Sequence, residues 1–161
     1  MASAGIAFKF VNYRPIDQTE VNCNLVFDVK IDFTCKARYV AGVNLTSPPD
    51  NFHTYSSVIS CKSVRILFLI AALYDIRVLA ADISNAFINA KCVKKVFLKA
   101  EPEFKSREGM SVIILRTLYG LKSARASFRA HLSNILWTMG FKPTFYDRTM
   151  WMHNNFLPLP Q

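Results

Sequence analysis

The sequence lacks the paired residues of zinc sites. Its four cysteines, Cys23, Cys35, Cys61 and Cys92, are widely spaced and form no Cys-x-x-Cys pair, the spacing that structural zinc sites commonly use. The three histidines are also far apart and show no His-x-x-x-His pattern. These absences argue against a zinc site and favour free, structural thiols.

Long apolar runs are missing as well. The longest, residues 66–74, is about half of what a bilayer-spanning helix needs. Lys9 and Arg14 interrupt the first residues before the apolar stretch of a secretory signal develops. We therefore expect no membrane span and an intracellular protein, in the cytoplasm or nucleus, in which the glycosylation sequon at Asn44 is unused.

Acidic residues are few: 11 Asp and Glu stand against 20 Lys and Arg, for a net charge of +9. This balance favours a polyanionic partner, with nucleic acid first and an anionic membrane second, although a solvated basic surface without a partner explains it too. Hydrophobic residues make up 52% of the 161 residues and charged residues 19%. This composition suits one ordinary domain and argues against disorder.

The first part of the chain predicts a β-hairpin. Residues 1–20 show no clear period and indicate an irregular lead-in. Residues 36–41 suit a returning strand, and Gly42 and the stretch at 46–50 predict a loop. The first strand is indicated by apolar residues that alternate with charged ones, namely Leu25, Phe27, Val29, Ile31 and Phe33.

The rest of the chain adds two amphipathic helices and three strands. Apolar residues from Val64 to Ala72 fall on one helical face, and Ser56, Ser57 or Ser60 suits the N-cap. Strands are predicted at 77–82, 94–100 and 111–118, the last two joined as a hairpin with a long loop. A second helix with apolar residues from Phe128 to Met139 ends at Gly140. Hairpins and helices without regular alternation predict an α+β fold.

The segment RVLAADISNAFINA, residues 77–90, places a carboxylate at the end of an apolar run. Val78 to Ala81 suit a buried strand, Asp82 follows, and Phe87 comes five residues later. A buried carboxylate is costly unless a cap, a cation or a metal ion satisfies it. The local spacing alone favours the simpler interpretation, a helix N-cap at Asp82 and a core residue at Phe87.

Three stretches in order carry a resemblance to a known family. They are FDVKIDFTCKARYVAG at 27–42, LAADISNAFINA at 79–90 and LYGLKSARASFRAHL at 118–132. Together they resemble the reverse transcriptase segment of Ty1/copia-type retrotransposon polyproteins, over roughly residues 25 to 151. The resemblance implies that residues 21–161 form the fingers and the first part of the palm of a right-hand polymerase, after the lead-in at 1–20.

The resemblance also implies roles at the second stretch. Such enzymes transfer nucleotides with two Mg²⁺ ions held by palm carboxylates. Asp82 would be the first catalytic carboxylate and metal ligand, and the carbonyl of Ile83 a backbone ligand. Phe87 would lie under the sugar of the incoming nucleotide and select deoxyribonucleotides. The implied partners are an RNA or DNA template-primer and a deoxynucleoside triphosphate, and no membrane or particular protein partner is indicated.

The other two stretches are implied to bind nucleotide and nucleic acid. Lys36 or Arg38, which share one face of the hairpin, would contact the triphosphate, unless this face is only solvated. Gly120 would allow a close backbone approach to template or nucleotide. Three further cations would contact the nucleic-acid backbone or simply form a solvent face: Lys122, Arg125 and Arg129.

The sequence departs from the family pattern in its catalytic carboxylates. No Asp-Asp pair occurs, although the family has Tyr-x-Asp-Asp after the second helix. Phe33 stands where a turn glycine is common, and the stretch SARASF at 123–128 lacks a tryptophan often found there. We therefore expect a polymerase fragment that is inactive alone and binds Mg²⁺ weakly or not at all. The alternatives are a non-catalytic, basic nucleic-acid-binding remnant and a relic that does not fold stably.

Overall fold

The computed structural model describes residues 7–42, 56–153 and 155. They divide into two compact units: the first holds residues 7–42 and 85–131, and the second holds residues 56–84, 132–153 and 155. Helices and strands are mixed without regular alternation, which confirms the predicted α+β class. The strands are β1 (Phe8–Val11), β2 (Thr19–Glu20), β3 (Cys23–Val29), β4 (Cys35–Ala41), β5 (Val96–Lys99), β6 (Ser111–Ile114), β7 (Phe141–Pro143) and β8 (Trp151–His153). The α-helices of the described residues are α1 (Cys61–Leu73), α2 (Ala86–Asn89) and α3 (Ala124–Thr138).

The predicted first hairpin is confirmed, with β3 antiparallel to β4 and Phe27 opposite Ala37. The strand ends at Val29 because the chain turns at 30–34, where the Phe33 N–H donates to the Lys30 carbonyl at 2.9 Å. Phe33 has a φ of 62°, in the left-handed region that favours glycine. The alternating pattern therefore extends past the end of the strand. The loop predicted at 46–50 and the Asn44 sequon lie outside the described residues.

A four-stranded sheet in the order β1, β6, β5, β2 forms the rest of the first unit's strand structure. The hairpin predicted from 94–100 and 111–118 is confirmed as β5 and β6, with a 3₁₀ segment, Pro102–Arg107, in the connection. The prediction of an irregular lead-in at 1–20 is wrong for two segments: β1 pairs with β6, and β2 pairs with β5. Both strands are too short to show a period, and their partners lie far along the chain, so pairing rather than local pattern decides them.

The buried core of the first unit lies on this sheet. Val96, Phe97 and Leu98 are successive residues of β5 and are all buried, so both faces of the strand are covered. Each such side chain contributes about 1.5–3 kcal/mol when fully buried. The cluster continues into the start of α3 through Leu118, Leu121 and Ala124. The core therefore fixes the connection between β6 and α3, which holds the candidates Gly120 and Lys122.

Both predicted helices are confirmed. The Ser60 hydroxyl accepts a hydrogen bond from the Ser63 N–H at 3.0 Å, which makes Ser60 the N-cap of α1 among the three serines considered. Gly140, with a φ of 89°, donates its N–H to the Trp137 carbonyl just beyond α3, as expected of a C-terminal glycine. No helix in the described ranges is long and apolar enough to cross a membrane.

The buried strand predicted at 77–82 is wrong. These residues adopt no strand, Val78 is 58% exposed and Leu79 is 92% exposed. A strand needs a partner for its backbone hydrogen bonds, and within the described residues no strand pairs with this segment. Asp82 is exposed, so its carboxylate does not carry the desolvation cost that the apolar run suggested.

Candidate functional site

One cavity of the first unit gathers candidates from two of the three motif stretches. It has a volume of about 590 Å³. Its walls come from α2, from the connection between β6 and α3, and from the first turn of α3. The lining residues are Phe87, Tyr119, Gly120, Leu121, Lys122, Ala124 and Arg125. The structure therefore brings Phe87 together with three candidates that are distant from it in the sequence: Gly120, Lys122 and Arg125.

Phe87 forms an aromatic wall of this cavity. Its ring centroid lies 4.8 Å from that of Tyr119 and 6.2 Å from that of Phe128, both in edge-on geometry. The side chain is half-buried and packs against the core cluster. Edge-on aromatic pairs add about 0.5–1.5 kcal/mol beyond the area they bury. Phe87 is thus both a packing residue and a surface that a ligand in the cavity would contact.

Gly120 connects the cavity to the first hairpin. Its φ is 86°, and a Cβ atom on it would overlap the carbonyl oxygen of Ala41, at the end of β4. The Ala41 N–H donates to the Tyr119 carbonyl at 2.8 Å, and Val40 and Tyr119 form a parallel bridge. The close approach that glycine permits here is therefore to the backbone of β4.

Arg38 is the hairpin cation that lies beside the cavity. Its guanidinium carbon is 6.0 Å from the centroid of the Tyr119 ring, within the range of a cation–π contact. Its Nη1 also lies 3.4 Å from Oδ2 of Asp28. Lys36 sits two residues away on the same strand, opposite Asp28 in the register. Of the two cations that the sequence left open, the structure favours Arg38 as the one that faces the cavity wall.

The remaining cations follow one another into α3. Lys122 and Arg125 are exposed at the cavity rim, and Arg129 is half-buried one helical turn after Arg125. No acidic residue occurs between Glu108 and Asp147. This stretch therefore carries positive charge that no carboxylate of the same segment offsets.

Asp82 and Ile83 belong to the second unit, and the other candidates belong to the first. Both residues are exposed. Within the described ranges no three His, Cys, Asp or Glu side chains come close enough to hold a metal ion. One exposed carboxylate and one carbonyl do not fit the ligand set that two Mg²⁺ ions require. The metal and catalytic roles of Asp82 and Ile83 remain predictions.

Sequence reasoning assigned no role to Tyr119 and Asp28. Tyr119 contacts Phe87 and Arg38 and bridges to β4. Asp28 holds Arg38 in place from the neighbouring strand. The hairpin pattern contained a signal for Asp28, because an antiparallel register places it opposite Lys36, beside Arg38. No comparable local signal points from Tyr119 to Phe87.

Comparison with known proteins gives consistent matches. A family model described as "Reverse transcriptase (RNA-dependent DNA polymerase)" matches residues 7–156. The chain is 30% identical over 146 residues to the retrovirus-related Pol polyprotein from transposon RE1 of Arabidopsis thaliana, which covers 86% of this chain and 10% of that protein. The corresponding polyprotein from Arabidopsis transposon RE2 is 29% identical over the same shares.

The Pol polyprotein from transposon TNT 1-94 of Nicotiana tabacum is 24% identical over 157 residues, 90% of this chain and 12% of that protein. The chain therefore spans about a tenth of the length of the curated relatives it matches. No solved structure matches it.

Proposed function

Because this chain belongs to the reverse transcriptase (RNA-dependent DNA polymerase) family, we propose that its first unit forms the nucleotide-binding side of a retrotransposon polymerase. In this proposal the β3–β4 hairpin belongs to the fingers, and the segment around Asp82 belongs to the palm. The observation that carries the proposal is the cavity at Phe87 with Arg38 beside it. Three distant stretches meet there: one supplies Arg38, one supplies the aromatic wall at Phe87, and one supplies a backbone turn with two further cations.

The chemistry of the cavity suits a deoxynucleoside triphosphate. The Phe87 ring presents an apolar edge on which a sugar without a 2′-hydroxyl packs, whereas a buried hydroxyl without a partner costs about 1–3 kcal/mol. Arg38 offers a planar fork of donors that matches phosphate oxygens. Lys122, Arg125 and Arg129 supply positive charge for the phosphates of a template or primer. Asp82, with the Ile83 carbonyl, is proposed as a catalytic carboxylate that further carboxylates must complete.

Nucleotide binding tests this proposal without requiring catalysis. We expect the chain to bind a deoxynucleoside triphosphate more tightly than the matching ribonucleoside triphosphate. Phe87→Ala should narrow that difference, and Arg38→Gln should weaken both ligands. Arg14→Gln is the matched control, because Arg14 pairs with Glu20 on an exposed surface away from the cavity lining. Equal affinities in all four proteins would contradict the proposal.

Catalysis by the 161-residue chain is a separate question. Because its sequence contains no Asp-Asp pair, we expect no extension of a DNA primer on an RNA template with Mg²⁺. Extension that is abolished by Asp82→Asn would overturn this expectation and would place a complete metal site in the chain.

A nucleic-acid-binding module without catalysis is the second candidate function. The stretch between Glu108 and Asp147 favours it, because this stretch contains no acidic residue and five cations: Arg116, Lys122, Arg125, Arg129 and Lys142. Such binding would weaken linearly on a plot of log affinity against log salt. The affinity for nucleic acid would also not change when nucleotide is added or when Asp82 is replaced by Asn, which distinguishes this function from the polymerase proposal.

A further inference from the structure

A second cleft of the first unit is lined by four cations. It has a volume of about 410 Å³ and lies at one end of the four-stranded sheet, where β6 ends and β5 begins. The cations are Lys91, Lys94, Lys95 and Arg116, and Ile113, Ile114 and Leu115 contribute apolar surface. Among the described residues that line this cleft, none is acidic. It shares no lining residue with the Phe87 cavity.

Backbone hydrogen bonds hold these cations at defined positions. Lys91 and Arg116 form an antiparallel bridge, and the Cys92 N–H donates to the Leu115 carbonyl at 2.9 Å. The Lys95 carbonyl accepts from the Thr19 N–H at 3.0 Å. Lys91, Lys95 and Arg116 are therefore held at their backbones by segments that are distant in the sequence.

Arg116 is oriented further by its side chain. Its Nη1 donates to the Asn89 carbonyl at 2.9 Å, so the guanidinium is held against the end of α2. Lys91 and Lys95 are exposed and extend from the same end of the sheet. The Arg116 guanidinium is thus preorganised at the rim of an apolar floor, which reduces the entropy that a bound anion must overcome.

The sequence around this cleft is rich in lysine. No acidic residue occurs from Ile83 to Ala100, while Lys91, Lys94, Lys95 and Lys99 all fall within that stretch. Like charges repel one another, by about 1 kcal/mol per pair at a separation of 4 Å in water. A polyanion that enters the cleft relieves the repulsion and releases its own counterions.

We propose that this cleft binds the phosphate backbone of a single nucleic-acid strand, as a contact separate from the Phe87 cavity. The anion site rests on charge and shape alone, whereas the choice of nucleic acid as occupant rests on the proposed function. Only Thr117 and Leu118 separate Arg116 from Tyr119, so one strand can reach both places. A concave cleft suits a strand better than a membrane surface, which needs a broad apolar face.

Binding of a fluorescein-labelled oligothymidylate to the full chain, without Mg²⁺ or nucleotide, tests the proposal. The variant carries Lys91→Gln with Lys95→Gln. We expect its affinity to fall about fivefold at low salt, and the slope of log affinity against log salt to become shallower by about 1.4, for two lost contacts to a single strand. Lys91→Arg with Lys95→Arg should keep the binding of the original chain.

The matched control carries Lys9→Gln with Lys99→Gln. These two lysines are exposed on strands of the same sheet and do not line the cleft. The control removes the same charge, so an equal loss in both double variants would overturn the proposal. Competition by polyglutamate as effective as that by unlabelled oligothymidylate would also overturn it, because the occupant would then be any acidic chain.

Lys122→Gln with Arg125→Gln separates this proposal from the proposed function. If only that pair weakens binding, the cleft proposal fails and the nucleic-acid contacts at the Phe87 cavity stand. If only the Lys91 and Lys95 pair weakens binding, the cleft stands and those contacts fail. Unchanged circular dichroism in every variant shows that altered binding is not altered folding.

Discussion

The backbone of Gly120 lies so close to the carbonyl oxygen of Ala41 that no Cβ atom fits between them. This contact, with the hydrogen bond from Ala41 to Tyr119, joins the first hairpin to the connection that lines the Phe87 cavity. Gly120, which the resemblance implies as a place where template or nucleotide approaches the backbone, therefore also has a structural role. The hairpin and the cavity lining are therefore joined by backbone contacts at both Tyr119 and Gly120.

Gly120→Ala should destabilise the first unit by roughly 2–5 kcal/mol, because the left-handed φ and the overlap with Ala41 both oppose a side chain. Gly109→Ala is the matched control: its φ is 80°, but a Cβ atom there meets nothing within 4 Å. Gly109→Ala should lower the free energy of unfolding only by the cost of placing a side chain at a left-handed φ, about 1–2 kcal/mol. Urea unfolding followed by circular dichroism measures both, and equal losses would show that the contact with Ala41 is unimportant.

Phe87→Ala should lower the free energy of unfolding by roughly 2–4 kcal/mol, because it removes a half-buried ring that packs against Tyr119 and Phe128. Phe27→Ala removes the same ring from β3, where the side chain is 74% exposed. We expect it to cost under about 1 kcal/mol. The same unfolding measurement applies, and similar losses for the two variants would contradict the packing role of Phe87.

Asp147 should make the second unit less stable at low pH. Hydrogen bonds from the Ser63 hydroxyl, at 2.6 Å, and from Thr149 hold the pKa of the Asp147 carboxyl well below its usual range. A depressed folded-state pKa stabilises the fold above the unfolded value of about 3.9, and that stability is lost as pH falls through the lower folded value. The unfolding midpoint should therefore fall as the pH drops below about 4.

Asp147→Asn should lower the midpoint at neutral pH and flatten this acid dependence. Tryptophan fluorescence reports the second unit selectively, because Trp137 and Trp151 both lie in it. Asp82→Asn is the control, since it removes an exposed carboxylate from the same unit. An Asp147→Asn protein that unfolds like the Asp82→Asn protein would contradict the role of Asp147.

The four thiols should react at two distinct rates with a thiol reagent. Burial, with the charge of Glu101 second, raises the pKa of Cys23 to about 12, and burial raises the pKa of Cys92 as well. Since the thiolate is the reactive form, both should react slowly in the folded chain. Cys35 and Cys61 are exposed and should react quickly.

Thiol counting before and after addition of denaturant checks this prediction. Two fast thiols should appear in the folded chain and all four after unfolding. Cys23→Ser and Cys92→Ser should each remove one slow thiol and leave the fast pair unchanged. Four fast thiols under native conditions would mean that the first unit opens readily or does not fold stably.

Part of the site was predictable because its motifs are contiguous in the chain. Two motif stretches, residues 79–90 and 118–132, contain four of the candidates, and the structure places these four around one cavity: Phe87, Gly120, Lys122 and Arg125. The preference for Arg38 over Lys36 was not predictable, because both point to the same face of β4. It depends on Tyr119, which comes from a distant stretch and lies under only one of them.

The sequence by itself determined what short-range physics controls: the period-two hairpin, the helix that Ser60 caps, and the glycine stop after α3. Tertiary structure alone decided that β1 and β2 are strands, that residues 77–82 are not, and that four cations share a cleft. Periodicity and capping act within a few residues, whereas a strand exists only where a partner supplies its hydrogen bonds. Those partners lie far along the chain, and no local pattern encodes which of them will meet.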